Sequence, residues 1–214
     1  MSENSYFENN HVSLIGTIYD EPVLSHEIYG EKYYTVKLSV ERLSDNKDII
    51  PLTISERFFG GYYPQINDLV SVNGQYRSYN NYSGTGNKLI LTVFVKEIMY
   101  LDSDNCPEEF IKTNPNQIYL NGYICKKPSY RTTPFCREIS DILLAVNRSY
   151  NKSDYIPCIA WGRNAKFAQT LEVGTNLKLW GRIQSREYQK HVSETETVLK
   201  TAYEVSISKM EVVE

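Results

Sequence analysis

Five aromatic residues (Tyr150, Tyr155, Trp161, Trp180 and Tyr188) interleave with five basic ones (Lys152, Arg163, Lys178, Arg182 and Arg186) between positions 150 and 188. Their chemistry is non-covalent. Flat rings offer faces on which other flat rings stack, and guanidinium and ammonium groups neutralise phosphates and release their counterions. Arginine adds a planar group that stacks as well as pairs. On one surface, these two ingredients suit a polyanion that carries unpaired bases. Such a surface would be sequence-tolerant, because every base has a π-face worth roughly 1–3 kcal/mol when stacked.

Residues arranged for bond-making are missing. His11, His26 and His191 are scattered, with no HExxH or metal-ligand spacing. The glycines of SGTGNK (83–88) lack the order of a phosphate-binding loop and read as a hairpin turn. Cys106, Cys125, Cys136 and Cys158 have no CxxC spacing, which points to free thiols in a reducing cytoplasm. No enzyme activity, metal site or cofactor is expected. No apolar run reaches membrane length, and the start, MSENSYFENN, is polar and acidic rather than a leader peptide.

The elements that must position the rings are strands. Leu177, Leu179, Gly181 and Ile183 alternate with Lys178, Trp180, Arg182, Gln184 and Arg186, the period of a half-buried strand. The stretch NRSYNKSDYIPCIAWGR (147–163) is less ordinary. As a strand it puts Tyr155, Pro157, Ile159 and Trp161 on one face and Ile156, Cys158 and Ala160 on the other, so both faces are largely apolar. Something must cover the second face.

The net charge of −3, taken alone, argues against a polyanionic partner. Its distribution reverses that reading. Residues 1–107 carry 8 Lys and Arg against 14 Asp and Glu, whereas residues 108–190 carry 13 against 7. Asymmetry of this size suggests a polyanion partner for the basic half.

The chain also repeats itself. HVSLIGTIYDEP (11–22) aligns with QIYLNGYICKKP (117–128), and the same offset of 106 matches Arg42 with Arg148 and Pro51 with Pro157. An offset of 107 matches Gly74 with Gly181 and Ser78 with Ser185. One repeat of this period means two similar domains, here 10–100 and 116–214, joined by the polar, acidic stretch 101–115. In the second half, strands are expected near 117–126, 137–147, 154–162, 176–188 and 200–212. NAKFAQTL (164–171) suits a short helix, with Asn164 as N-cap and Gly174 beyond its end. Five strands with at most one helix, between the third and fourth, describe a five-stranded OB-fold barrel. The fold class is therefore all-β, two such barrels in tandem. Interior glycines such as Gly122 and Gly181 suit sharply bent barrel strands.

IYLNGYICKKP, LLAVNRSY, DYIPCIAWGR and LKLWGRIQSREY occur in this order along the second half. Together they resemble the bacterial single-stranded DNA-binding protein family, in a two-domain branch associated with Firmicutes and phages. The resemblance implies stacking of unpaired bases on Tyr150, Tyr155, Trp161 and Tyr188, and backbone contacts from Arg131, Arg163 and Arg186. It further implies a homodimer presenting four barrels, a nucleoid-associated cytoplasmic location, and a role in DNA replication, recombination or repair. Two departures stand out. Cys136 occupies a turn position where the family has glycine and the first repeat has Gly30. The chain ends SISKMEVVE, without the family's acidic Pro-Phe tail, so recruitment of replication proteins by that route is not expected.

The first half keeps the frame but not the rings. The repeat places Ser44, Ile49, Ser55 and Asn81 opposite Tyr150, Tyr155, Trp161 and Tyr188. Tyr62, Tyr63, Tyr76, Tyr79 and Tyr82 could rebuild a platform, but the acidity of this half argues against one. Blander roles stay open for single residues. Trp161 would suit a subunit interface, Trp180 a contact between barrels, and Arg148 a structural ion pair repeated at Arg42. A whole-protein alternative is an OB-fold adaptor of primosomes or mobile elements that acts mainly through protein contacts.

Overall fold

A computed structural model gives the fold and describes residues 9–42, 44, 46–81, 88–101, 113–191 and 197–213. The stretch 102–112, within the expected linker, and most of SGTGNK, together with Tyr82, lie outside these residues. The first barrel comprises β1 (Asn10–Ile18), β2 (Val23–Ile28), β3 (Glu31–Glu41), β4 (Lys47–Ser55), β5 (Leu69–Asn81) and β6 (Lys88–Tyr100). The second comprises β7 (Asn116–Thr132), β8 (Glu138–Asn147), β9 (Ser153–Trp161), β10 (Asn176–His191) and β11 (Thr197–Val212), with the helix α1 (Arg163–Gln169) between β9 and β10. Each closes as a five-stranded OB-fold ring, with β2 outside the first ring on the edge of β3, and the two closures correspond. β1 pairs with β3 and β5 while β4 runs parallel to β6; β7 pairs with β8 and β10 while β9 runs parallel to β11.

The repeat extends to local irregularities. The bulge at Asn73/Gly74 recurs at Trp180/Gly181. A Cβ on Gly16, Gly74, Gly122 or Gly181 would lie 2.2–2.5 Å from a carbonyl oxygen of the next strand, so these bends admit only hydrogen. Two details depart from expectation. In the first barrel the strand breaks at 19–22, leaving β2 as a separate edge strand, whereas β7 bulges past Pro128 and continues. The cap of α1 is Gly162, at φ 52°, not Asn164. Asn164 instead donates its side-chain N–H to the Ser208 carbonyl, 3.2 Å away.

The barrels are joined about an approximate two-fold axis. β1 and β7 pair antiparallel, with Asn10 opposite Leu120 and Leu14 opposite Asn116. The repeat makes Asn116 the counterpart of Asn10 and Leu120 that of Leu14, so the ladder is nearly self-complementary, as in an isologous dimer. Around it, buried polar groups are satisfied in matched pairs. Asn10 holds the backbone N–H and C=O of Tyr76 at 2.8 Å each; Asn116 holds those of Ile183 at 2.9 and 2.7 Å.

Two buried aspartates finish the junction. Asp48 accepts from Arg42 of its own barrel (2.8 and 2.5 Å), and from Arg182 (3.1 Å) and the Ser185 backbone N–H (2.7 Å) of the other. Asp154 accepts from Arg148 of its own barrel (3.4 Å), and from Arg77 (2.9 Å) and the Ser78 backbone N–H (2.7 Å) of the other. Burial pulls the Arg77 and Arg182 guanidiniums below their ordinary values, and the carboxylates oppose that shift. Arg77 and Arg182 also bond Gln75 and Gln184, so arginine and glutamine exchange places between the two copies. The apolar cores are continuous across the seam. Tyr76 is fully buried and lies near Cys158 and Tyr203 of the second barrel.

Two outcomes follow from this packing. Removing one partner of a buried ion pair costs several kcal/mol, and an exposed pair costs little. In urea unfolding, Asp154→Ala should lower stability by about 3 kcal/mol, against less than about 1 kcal/mol for Asp141→Ala, which breaks the exposed pair with Arg131. Cys136 lies in the left-handed region at φ 57°, as Gly30 does at φ 82°. Cys136→Gly should therefore raise stability by roughly 0.5–1 kcal/mol in the same assay.

Candidate nucleic-acid interface

The outer face of the second barrel is built on β8 and β9. Their register sets Ile139 beside Trp161, Asp141 beside Ile159, Leu143 beside Pro157 and Ala145 beside Tyr155, all pointing away from the core that receives Ile156, Cys158 and Ala160. This is the second apolar face that the sequence leaves uncovered. Half of it is covered by the chain itself. Ile139 and Ile159 are buried although neither belongs to the main core. The Trp161 indole N–H is donated to Ser206 Oγ at 3.2 Å, on the β11 residue that registers with Ile159. The ring thus reaches from β9 towards β11.

The other half is open. Tyr155 is 47% exposed, and Tyr150 is 94% exposed on the 3₁₀ turn Ser149–Asn151 that leads into β9. Tyr150 and Asn151 both have positive φ (60° and 54°), a conformation that a large side chain occupies at a cost of roughly 1–2 kcal/mol. The turn is closed by the Arg148 N–H on the Lys152 carbonyl at 2.7 Å. Lys152 and Arg163 are exposed near the two ends of β9, without an ion-pair partner among the described residues. Tyr150, Lys152, Tyr155, Trp161 and Arg163 therefore follow one strand.

The remaining candidates are dispersed, because β11 lies between β9 and β10 in the sheet. Arg186 and Tyr188 sit together on the β10–β11 hairpin, with the guanidinium 6.0 Å from the ring centroid. That hairpin leans on the first barrel, where Ser185 Oγ accepts from the Ile49 N–H at 2.9 Å. Trp180 packs on Tyr119 at 5.2 Å with the Lys209 ammonium 4.6 Å over its ring, beside a groove of about 530 Å³ that also meets His11 and Asn116. Lys178 is half-buried two residues before it on the same strand.

Two of the candidate arginines are ion-paired. Arg182 is an interdomain ligand of Asp48 rather than a free cation, and Arg131 is paired with Asp141 at 2.8 Å across β7 and β8. Arg148 proves to be the repeated structural pair, matching Arg42. An exposed ring that motif matching passes over is Phe135, 87% exposed in the β7–β8 turn next to Cys136. Its signal was available, as an aromatic at a Thr-Pro hairpin tip. Among the described residues, no cluster of metal-ligating side chains occurs, and no helix is long and apolar enough to cross a membrane.

Known proteins resemble this chain in sequence and in fold. The single-strand binding protein family matches residues 115–213. Single-stranded DNA-binding protein B of Bacillus subtilis is 33% identical over 81 residues, which are 35% of this chain and 72% of that protein. Single-stranded DNA-binding protein 2 of Listeria innocua is 33% identical over 97 residues, 40% of this chain and 61% of that protein. Single-stranded DNA-binding protein 1 of Staphylococcus aureus is 35% identical over 81 residues, 35% of this chain and 48% of that protein. The chain thus spans between about half and three fifths of the length of these last two relatives. The crystal structure of the single-stranded DNA-binding protein from Thermus aquaticus superimposes with a TM-score of 0.70 at 19% identity, covering 96% of this chain and 93% of that one, so the likeness of fold runs through both barrels. From the motifs of its second half and the relatives they match, the chain belongs to the single-strand binding protein family.

Proposed function

We propose that the chain binds single-stranded DNA without sequence preference and shields it during replication, recombination or repair, as a non-enzymatic protein. The observation that carries this reading is the open half of the β9 face. There Tyr150 and Tyr155 present their rings to solvent, and Lys152 and Arg163 bring charges that nothing in the described chain neutralises. Exposed aromatics beside unpaired cations are the two ingredients of sequence-tolerant strand binding. Base-edge readout would need fixed donors and acceptors, and the face offers few. Tyr188 and Arg186 on the β10–β11 hairpin extend the path towards the first barrel. Two barrels per chain would give four in a homodimer, with a solution mass twice the 24.8 kDa of the chain.

Both tryptophans, Trp161 and Trp180, lie in the second barrel, so their fluorescence reports on it. Oligo-dT should quench it, added salt should weaken the effect, and duplex of equal length should do almost nothing; unchanged fluorescence with no gel shift at low salt would sink the proposal. Tyr150→Ala with Tyr155→Ala should weaken oligo-dT binding by tenfold or more, since each stacked base contributes roughly 1–3 kcal/mol. Arg182→Gln should leave the affinity nearly unchanged and instead lower stability by about 1–2 kcal/mol, because it removes a ligand of buried Asp48.

A further inference from the structure

The first barrel lacks every ring that the second one uses, yet its matching face is not bare. Ser55 stands where the second barrel has Trp161. Its register neighbour on β3 is Tyr33, where the second barrel has Ile139. On the other flank, Phe94 of β6 pairs with Thr53, where the second barrel pairs Ser206 with Ile159. One large ring on the middle strand has been exchanged for two rings on the flanking strands. Over the small Ser55 and Thr53, these two meet each other, with centroids 5.8 Å apart at 33°. The row continues outward to His26, stacked on Tyr33 at 5.0 Å and 7°. Tyr33 and Phe94 are half-buried and His26 is exposed, so the row keeps accessible ring surface.

The local charge is opposite to that of the barrel as a whole. The Lys96 ammonium stands 5.0 Å from the Phe94 centroid, with no ion-pair partner among the described residues. Burial, followed by repulsion from Arg77, Arg57 and Arg148, holds it below its ordinary value. Arg77 and Arg148 share the single carboxylate of Asp154, which leaves one positive charge over, and Arg57 is paired with Glu31 at 3.5 Å. A lysine among arginines, beside stacked rings, leaves this surface with positive charge to spare, even with the Glu31 carboxylate bonded to Ser55 Oγ and paired with Arg57 at the Tyr33 end. It also adjoins the face described above, because the Tyr155 N–H is donated to Ser78 Oγ of the first barrel at 2.7 Å, directly beside Arg77.

We propose that the first barrel carries a second stacking surface, Tyr33 and Phe94 with Lys96, and that one DNA strand runs onto it from Tyr150 and Tyr155 across Arg148 and Arg77. This rests on the strand-binding reading of the second barrel and extends it over the seam. The phosphates would meet Lys96 and the spare charge of the two arginines, and the bases would meet the rings.

The test uses the full chain and two oligo-dT lengths, one sufficient for a single barrel and one for both, about 10 and about 30 nucleotides. Tyr33→Leu with Phe94→Leu keeps the apolar cover and removes the stacking faces. It should leave short-oligonucleotide affinity within about twofold and weaken long-oligonucleotide binding by about tenfold or more. Lys96→Gln should reduce the salt slope for the long oligonucleotide by about one unit. If the unaltered chain binds both lengths and neither variant changes long-oligonucleotide affinity or salt slope, the second surface is refuted. If the unaltered chain binds neither length, the strand-binding reading itself falls, and this one with it. Should the double variant fail to fold, Lys96→Gln alone decides by the salt slope.

Discussion

Asp48 and Asp154 have almost no contact with solvent, and a buried carboxylate must be paired or pay heavily for its lost hydration. Each has an ion-pair partner in its own barrel, and the opposite barrel supplies the rest of its bonds. Each takes one arginine from its own side, and from the opposite barrel a second arginine and a backbone N–H. Separating the barrels would take two partners from each carboxylate and leave it with the arginine of its own barrel. The two serines whose backbone N–H groups these carboxylates hold also accept across the seam, Ser78 Oγ from the Tyr155 N–H and Ser185 Oγ, on the β10–β11 hairpin, from the Ile49 N–H. The β1–β7 ladder and the Asn10 and Asn116 clamps set the register; the aspartates make it costly to leave.

The frame is close to symmetric, and the surface is not. Glycines, bulges, clamps and aspartates recur in both copies at matched positions, because they answer constraints of the barrel and of the seam. Rings and free cations answer neither constraint. In the second barrel, Trp161 reaches towards β11 and Tyr150 and Tyr155 stand clear. In the first, small Ser55 and Thr53 leave room that Tyr33 and Phe94 share. A single repeated scaffold thus bears two differently built aromatic surfaces, with Arg148 and Arg77 between them around one carboxylate. The acidity of the first half is an average that does not describe this face.

The frame was legible because its constraints are local. Alternation marks the strands, a 106-residue offset marks the copies, and Gly122 and Gly181 mark bends that admit no Cβ. Tyr150 and Tyr155 were legible for the same reason, as outward positions of one turn and one strand. The bond of Arg182 to Asp48 is not legible, because Asp48 is 134 positions away and belongs to the other barrel. Nor does alternation within each strand reveal that the parallel β9–β11 pairing sets a strand between β9 and β10. Tyr33 and Phe94 were missed because a repeat comparison asks whether the same position keeps its ring. It does not ask whether the ring moved one strand aside, which only the pairing reveals.

Ultraviolet cross-linking of a long oligo-dT to the intact chain, with the modified peptides mapped by mass spectrometry, tests most directly the claim of a strand-binding face that crosses the seam. Adducts at Tyr150 or Tyr155 of the second barrel together with Tyr33 or Phe94 of the first, suppressed by salt, are the expected result. Adducts confined to Tyr119 and Trp180 beside the groove, or spread evenly over exposed tyrosines such as Tyr19 and Tyr29, would contradict it.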